Sequence, residues 1–342
     1  MAPLNVVVVG LGYFSQFHMR AWARNPHVRL AAVCDLNRDR ATNIGNAFQT
    51  FVFFDISEML ETTEAQIVDI VAPPSAHAEL VRASLTPDRV VICQKPFCKS
   101  IAEAEAVIAE ADAVGAQIVI HENFRFQPWH REIKDFLDEE KMGTVWQARF
   151  ALRPGDGRGA DAYLSRQPAF QTMPRLLIQE TGVHFFDLFR WMFGDVKSIY
   201  CEIRRLNFIL EGEDAGFVIM EHETGTRSIF DGNRLGDLVT NDPRRTMGVM
   251  DIEGDTGTLS LDSNGRLWLR KFGEQIPELL PLTRPMDASS FGGGCVNALI
   301  DHVVEATMSG ETPENTAREY LPVMHLTEAA YASAEQGQKL KF

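Results

Sequence analysis

The feature that most constrains this chain is how its first 121 residues alternate between short apolar runs and helical stretches. Leu4–Val9 is dominated by β-branched apolar residues, and Val28–Cys34 repeats the pattern. Runs of that kind suit strands covered on both faces. Further strands are expected over 66–71, 89–93 and 117–121, with Pro73-Pro74 and Pro96 as stops. Helices are expected over 13–24, 38–48, 76–85 and 100–114, the last ended by Gly115. Strand followed by helix, repeated, predicts a parallel doubly wound sheet, an α/β Rossmann arrangement.

The pattern changes after residue 122. A helix is expected over 128–140 and a strand over 145–152. A loop rich in Gly, Asp and Arg follows from Pro154 to Arg175, then a helix over 179–193. From Val196 to Arg270 the chain reads as strands joined by turns such as Glu223-Thr224-Gly225 and Ser263-Asn264-Gly265. Helices over 295–308 and 314–335 close the sequence. This predicts a dinucleotide-binding domain over 1–122. An α+β domain follows over 123–342, with a large, mainly antiparallel, open-faced sheet, and its last helix packs back near the first domain.

Composition narrows the function. The chain has 342 residues and a formal net charge of −14, so it lacks the clustered positive charge that nucleic acid or an anionic membrane demands. No apolar run approaches the ~18 residues of a membrane span, and no basic stretch precedes Val6–Val9 as in a signal peptide. A cytoplasmic protein is expected. The five cysteines, an odd number without a Cys-x-x-Cys pair, read as buried free thiols.

Gly10-Leu11-Gly12-Tyr13-Phe14-Ser15 follows the first strand and opens a helix, as a dinucleotide fingerprint does. The first glycine makes the tight turn. The second lets backbone approach a pyrophosphate seated on the helix N-terminus. Ser15 stands where the third glycine serves close packing. Asp35 ends the second strand, where a carboxylate accepts from the adenosine ribose and repels a 2′-phosphate, which favours NAD, with NADP the second option. Arg38, nearby, would partly offset that repulsion.

These motifs line up with a family. The chain resembles the Gfo/Idh/MocA oxidoreductases, the glucose–fructose oxidoreductase and inositol dehydrogenase group, over essentially its whole length. The resemblance rests on Gly10-Leu11-Gly12 with His18, on Ala72-Pro73-Pro74-Ser75-Ala76-His77, and on Gln94-Lys95-Pro96. It rests further on Asn123-Phe124-Arg125-Phe126-Gln127-Pro128 and on Glu180-Thr181-Gly182-Val183-His184 with Asp187. Two positions depart: Gln94 replaces the family's Glu before the lysine, and Glu180 replaces its Asp. The resemblance implies that Pro73, Ser75, His77 and Gln94 join Gly10, Gly12, Tyr13, Phe14, Asp35 and Lys95 around the cofactor. It also implies a cis Lys95–Pro96 bond.

Hydride transfer at a secondary alcohol needs a proton acceptor and a positive partner for the developing alkoxide. Lys95, at the C-terminal edge of a parallel strand, suits the reacting oxygen. Histidine exchanges protons near neutrality, which suits His184, and Glu180 lies four positions before it on the expected helix. The expected catalytic set is Lys95, His184 and Glu180, with no metal. His18 is expected to pack beneath the phosphate loop. Asn123 and Arg125 are substrate candidates, with a structural salt bridge the alternative for Arg125. Arg153, Arg158, Arg166 and Arg175 give the stretch 151–179 a positive balance, which makes Arg153 and Arg175 candidates for a substrate carboxylate. Pairing with acidic surface is the competing reading.

The function expected is hydride transfer between a nicotinamide and a sugar, polyol or sugar acid. Two rivals are a redox-neutral sugar-modifying enzyme with tightly held NAD and a non-catalytic nucleotide-binding regulator. The open sheet, with Phe217, Val218, Ile219 and Ile229, predicts a homodimer or homotetramer.

Overall fold

A computed structural model describes residues 2–87 and 89–342. The chain divides into two compact units. One holds the residues up to Asn123 together with Val296–Pro322. The other holds Phe124–Cys295 and Val323–Phe342.

The first unit is built on β1 (Leu4–Val9), β2 (Val28–Cys34), β3 (Phe51–Phe53), β4 (Ile67–Ile70), β5 (Val90–Cys93) and β6 (Gln117–Ile120). All pairings are parallel, in the order β3-β2-β1-β4-β5-β6. This is the doubly wound Rossmann order, and its strand order reverses beside β1. Val6, Val7, Val8, Ile67, Val91, Ile92 and Val119 are wholly buried, as expected for strands covered on both faces. Between the strands run α1 (Ser15–Arg24), α2 (Arg38–Phe48), α3 (Ile56–Thr62), α4 (His77–Ser84) and α5 (Ile101–Val114). Asn37, Asp55 and Ser100 each cap a helix by accepting from the backbone N–H three residues on. Gly115 ends α5 in the left-handed conformation.

The sequence reading places 123–342 in a single continuous domain, whereas 296–322 group here with the first unit. Side chains explain the return. Asp301, on α8 (Cys295–Ser309), accepts from Asn25 at 2.8 Å. The Asn315 carbonyl accepts from the Ile120 N–H, and its side chain donates to the Glu122 carbonyl. The last helix, α9 (Ala317–Gln336), carries Pro322.

The second unit contains α6 (Pro128–Asp138), β7 (Val145–Leu152), α7 (Val183–Phe193), β8 (Val196–Arg204), β9 (Ala215–His222) and β10 (Arg227–Asn233). The strands β11 (Gly248–Gly254), β12 (Gly257–Leu261), β13 (Leu267–Lys271), β14 (Glu278–Leu280) and β15 (Leu340–Lys341) complete it. Its nine strands run β14-β13-β12-β11-β7-β10-β9-β8-β15. The sheet is mainly antiparallel, but β10 pairs parallel with β7 at its centre. One face carries α7: Phe185 stacks on Phe150 at 4.0 Å and on Phe230 at 5.1 Å. The other face alternates outward with residues such as Glu202, Phe217 and Asp251. Phe217 is 49% exposed, while Val218, expected on the same face, is fully buried. The alternation of side chains along a strand dictates that difference. All five cysteines are buried and free, and burial pushes the thiols of Cys34, Cys98 and Cys201 up to about 12.

Candidate active site

Parallel strands deliver their loops to one edge of a sheet, and open α/β sheets bind ligands there. In the first unit that edge carries the Gly10–Phe14 loop after β1, Asp35 after β2, Ala72–Ser75 after β4, Gln94–Pro96 after β5 and His121 after β6. Gly10 adopts φ 86°, and a Cβ there would lie 2.6 Å from the Ala72 nitrogen, so only glycine lets the loop cross the end of β4. A Cβ on Gly12 would meet nothing within 4 Å. That open space is what a pyrophosphate needs beside a helix N-terminus. Ser15 is buried and donates to the Gly12 carbonyl at 2.7 Å, which accommodates the missing third glycine.

Asp35 braces the same loop. Its Oδ2 accepts from Leu11 N–H at 2.8 Å and from Arg40 at 3.2 Å, and Oδ1 accepts from Asn37 N–H. Each carboxylate oxygen has two lone pairs, so Oδ1 retains an acceptor for a ribose hydroxyl. The guanidinium beside Asp35 belongs to Arg40, while Arg38 stacks over Phe54 at 4.2 Å. These residues fit a nicotinamide dinucleotide. Tyr13 is 37% exposed, and Pro73 and Ser75 are also exposed on this edge.

The Lys95–Pro96 peptide is cis, and Lys95 is half-buried. His77 is tied to two loops of this edge. It is fully buried, with Nδ1 2.9 Å from the Pro96 carbonyl and Nε2 2.8 Å from the Ala72 carbonyl. Burial lowers its pKa below the usual histidine range. Its observed part is therefore a brace between two loops rather than a surface for cofactor. Gln94, also expected at the cofactor, is buried, and its amide points between His18 and His121.

In the second unit the expected helix over 179–193 is two structures. Leu177–Gly182 is a π turn, and α7 starts only at Val183. A π turn closes on the fifth residue, not the fourth, so Glu180 lies in the wider turn and His184 in the regular helix that follows it. Side chains hold the turn from beneath. Glu213 accepts from Ile178 N–H at 3.0 Å and from the Tyr331 hydroxyl at 2.6 Å, and Tyr331 accepts from Gln179 N–H at 3.2 Å.

His184 is buried and lies flat on Phe124, ring centroids 4.0 Å apart at 3°. Arg125 is committed to Asp187: Nε and Nη2 each reach a carboxylate oxygen at 2.6 Å. The substrate role expected for Arg125 gives way to this bidentate fork, a geometry guanidinium and carboxylate share. Asn123 is buried at the start of the same short helical turn. Trp191 is half-buried beneath Arg131 and Lys134.

The remaining arginine candidates are also engaged. Arg153 bonds Asp231 at 2.8 Å and Arg175 bonds Glu328 at 2.7 Å. Arg166 bonds Asp156 at 3.0 Å, and Arg158 lies 3.6 Å from Asp237. The positive balance of 151–179 is thus neutralised within the unit. Two residues escaped the sequence reading. Phe124 carries His184, and Arg234, 2% exposed, joins Asp156 at 3.2 Å to the Thr181 hydroxyl beside Glu180. Phe124 stood in a recognised motif, but nothing local marks Arg234. Among the described residues no three His, Cys, Asp or Glu side chains gather as a metal would need.

The Rossmann order, the glycine loop and its acidic brace define a dinucleotide-binding oxidoreductase. The chain belongs to the Gfo/Idh/MocA family: residues 4–122 match its NAD-binding Rossmann fold, and residues 134–342 match its C-terminal alpha/beta domain. It is 28% identical over 340 residues to a D-apiose dehydrogenase of Paraburkholderia graminis, covering 98% of this chain and 88% of that one. It is 26% identical over 229 residues to the inositol 2-dehydrogenase of Salmonella typhimurium, 65% of each chain. An oxidoreductase from Agrobacterium radiobacter, solved with NAD+, L-tartaric acid and magnesium, superposes with a TM-score of 0.91 at 26% identity. That match covers 99% of this chain and 98% of that one.

Proposed function

We propose that this oxidoreductase transfers hydride between NAD and a secondary hydroxyl of a sugar or polyol. The observation that carries the reading is the single sheet edge bearing the open glycine loop, the Asp35 brace and Lys95. NAD, when bound, supplies the hydride acceptor. Lys95 is assigned the reacting oxygen, whose developing charge its ammonium stabilises. His184, held flat by Phe124, is assigned the proton exchange. Glu180 is assigned a substrate hydroxyl. Relatives named for D-apiose and inositol support the substrate class. The engaged state of Arg153 and Arg175 removes the main support for a substrate carboxylate. Tartaric acid in one solved relative keeps hydroxy acids in the test.

The experiment is a panel of aldoses, polyols and hydroxy acids with NAD and NADP, followed by the absorbance of the reduced nicotinamide. Net reduction with a neutral sugar or polyol supports the proposal. Turnover without net reduction, or none on any substrate, rejects it. We propose further that the exposed sheet face mediates self-association in a homodimer or homotetramer. Phe217 and the half-buried Ile219 and Ile229 support this, since a broad partly apolar face favours a cover. A monomeric mass by light scattering at micromolar concentration would reject it. Among the described residues no helix is long and apolar enough to cross a membrane.

A further inference from the structure

We propose that Gln94 is the positioning residue for Lys95, anchored through its amide nitrogen between two buried histidines. The inference rests on the assignment of Lys95 to the reacting oxygen. Gln94 Nε2 lies 2.9 Å from His18 Nε2 and 3.1 Å from His121 Nδ1. His18 Nδ1 lies 2.8 Å from Asp69 Oδ2, which also accepts from Trp22 Nε1 at 2.6 Å. The imidazoles of His18 and His121 lie 4.1 Å apart, and Phe14 of the glycine loop meets both edge-on. None of Asp69, His18, Gln94 and His121 is more than 8% exposed.

Donor counting makes the arrangement specific. An amide nitrogen carries two hydrogens and accepts nothing, so each facing ring nitrogen must present a lone pair. His18 then carries its proton on Nδ1, toward Asp69, and His121 carries its proton on Nε2. The opposite orientation of the amide would need a proton on both facing nitrogens, and His18 would become an imidazolium. A glutamate at position 94, the residue of the family pattern, makes that same demand, because a carboxylate only accepts. Gln94 therefore fixes the tautomers of the pair.

The network converges on the lysine. Its members come from α1, from β4 and from the ends of β5 and β6, and they seize the residue before Lys95. On the other side His77 meets the carbonyl of Pro96. Buried imidazoles thus hold both neighbours of the lysine. Filling this space with apolar groups would pack as well but would not fix one orientation of the strand end.

The test pairs spectroscopy with kinetics. Nitrogen spectra of the 15N-histidine-labelled protein are expected to show His18 as the Nδ1–H tautomer and His121 as the Nε2–H tautomer, with Gln94→Glu converting His18 to an imidazolium. Gln94→Met is expected to lower kcat about 10–100-fold, with KM for NAD changed less than about twofold, since small misplacement of a reacting group costs that much. A wild-type His18 imidazolium or Nε2–H tautomer would overturn the proposal, as would normal kcat in Gln94→Met. If Gln94→Met does not fold, Gln94→Glu decides, with unchanged histidine spectra counting against the anchor. Normal turnover in Lys95→Ala would instead overturn the catalytic assignment on which this rests.

Discussion

The two units hold their functional side chains by different means. In the first, strand ends do most of the placing. Lys95, Asp35 and the glycine loop occupy their edge because parallel strands stop there, and the supporting contacts of Lys95 run through amide, imidazole and carbonyl groups. In the second, charged forks do it. Arg125 grips Asp187 below His184, and Arg234 ties Asp156 to Thr181 beside Glu180. Backbone placement tolerates the loss of a side chain better than a buried ion pair tolerates the loss of one partner.

The largest effect expected is on turnover. Lys95→Ala and His184→Ala should each lower kcat by roughly 10²–10⁴, as for a positioned acid–base group, while NAD binding by titration stays intact. Normal turnover in one of them alone would confine the chemistry to the other unit.

The contrast itself is sharpened by stability. Arg125→Met removes the guanidinium fork from the buried Asp187 and should cost about 3–5 kcal/mol in chemical denaturation. Removing both partners, Arg125→Met with Asp187→Leu, should recover most of that loss. If the single variant is as stable as wild type, the fork does not hold α7.

A smaller effect is expected on the cofactor. Asp35→Ser should move the ratio of kcat/KM toward NADP on the order of tenfold, because the repulsion of a 2′-phosphate is lost. An unchanged ratio would show that Arg40 already cancels the carboxylate.

The smallest effect is expected at the exposed pair of Arg175 with Glu328, whose side chains are 41% and 52% accessible. Arg175→Ala should change stability by less than about 1 kcal/mol. It should leave KM for sugars and hydroxy acids alike. A selective rise in KM for hydroxy acids would restore the carboxylate reading.

The same contrast governs what the sequence disclosed. Buried parallel strands declare themselves, so β1, β2, β4, β5, β6 and the parallel doubly wound class of the first sheet were legible. The edge strand β3 and the single-cap helix α3 were too short to show a period. In the second unit the hairpins at Gly225 and Gly265 were legible because a tight turn is local chemistry. The parallel pairing of β10 with β7 was not, because nothing near either strand encodes it. The site followed suit. Lys95, His184 and Glu180 stood in motifs, but the π turn, the engaged arginines and Arg234 depend on partners distant in sequence.

The return of residues 296–322 to the first unit bears on how the protein is made. Asn315 closes on Glu122 from 193 positions downstream. At roughly 5–20 residues per second, a ribosome needs on the order of 10–40 s to deliver that partner after the last Rossmann strand emerges. Throughout that interval the nascent first unit lacks α8 and the cap over its final strand. Its completion is therefore tied to the synthesis of nearly the whole chain, and a fragment ending near residue 122 would remain as the ribosome first leaves it, with that edge uncovered.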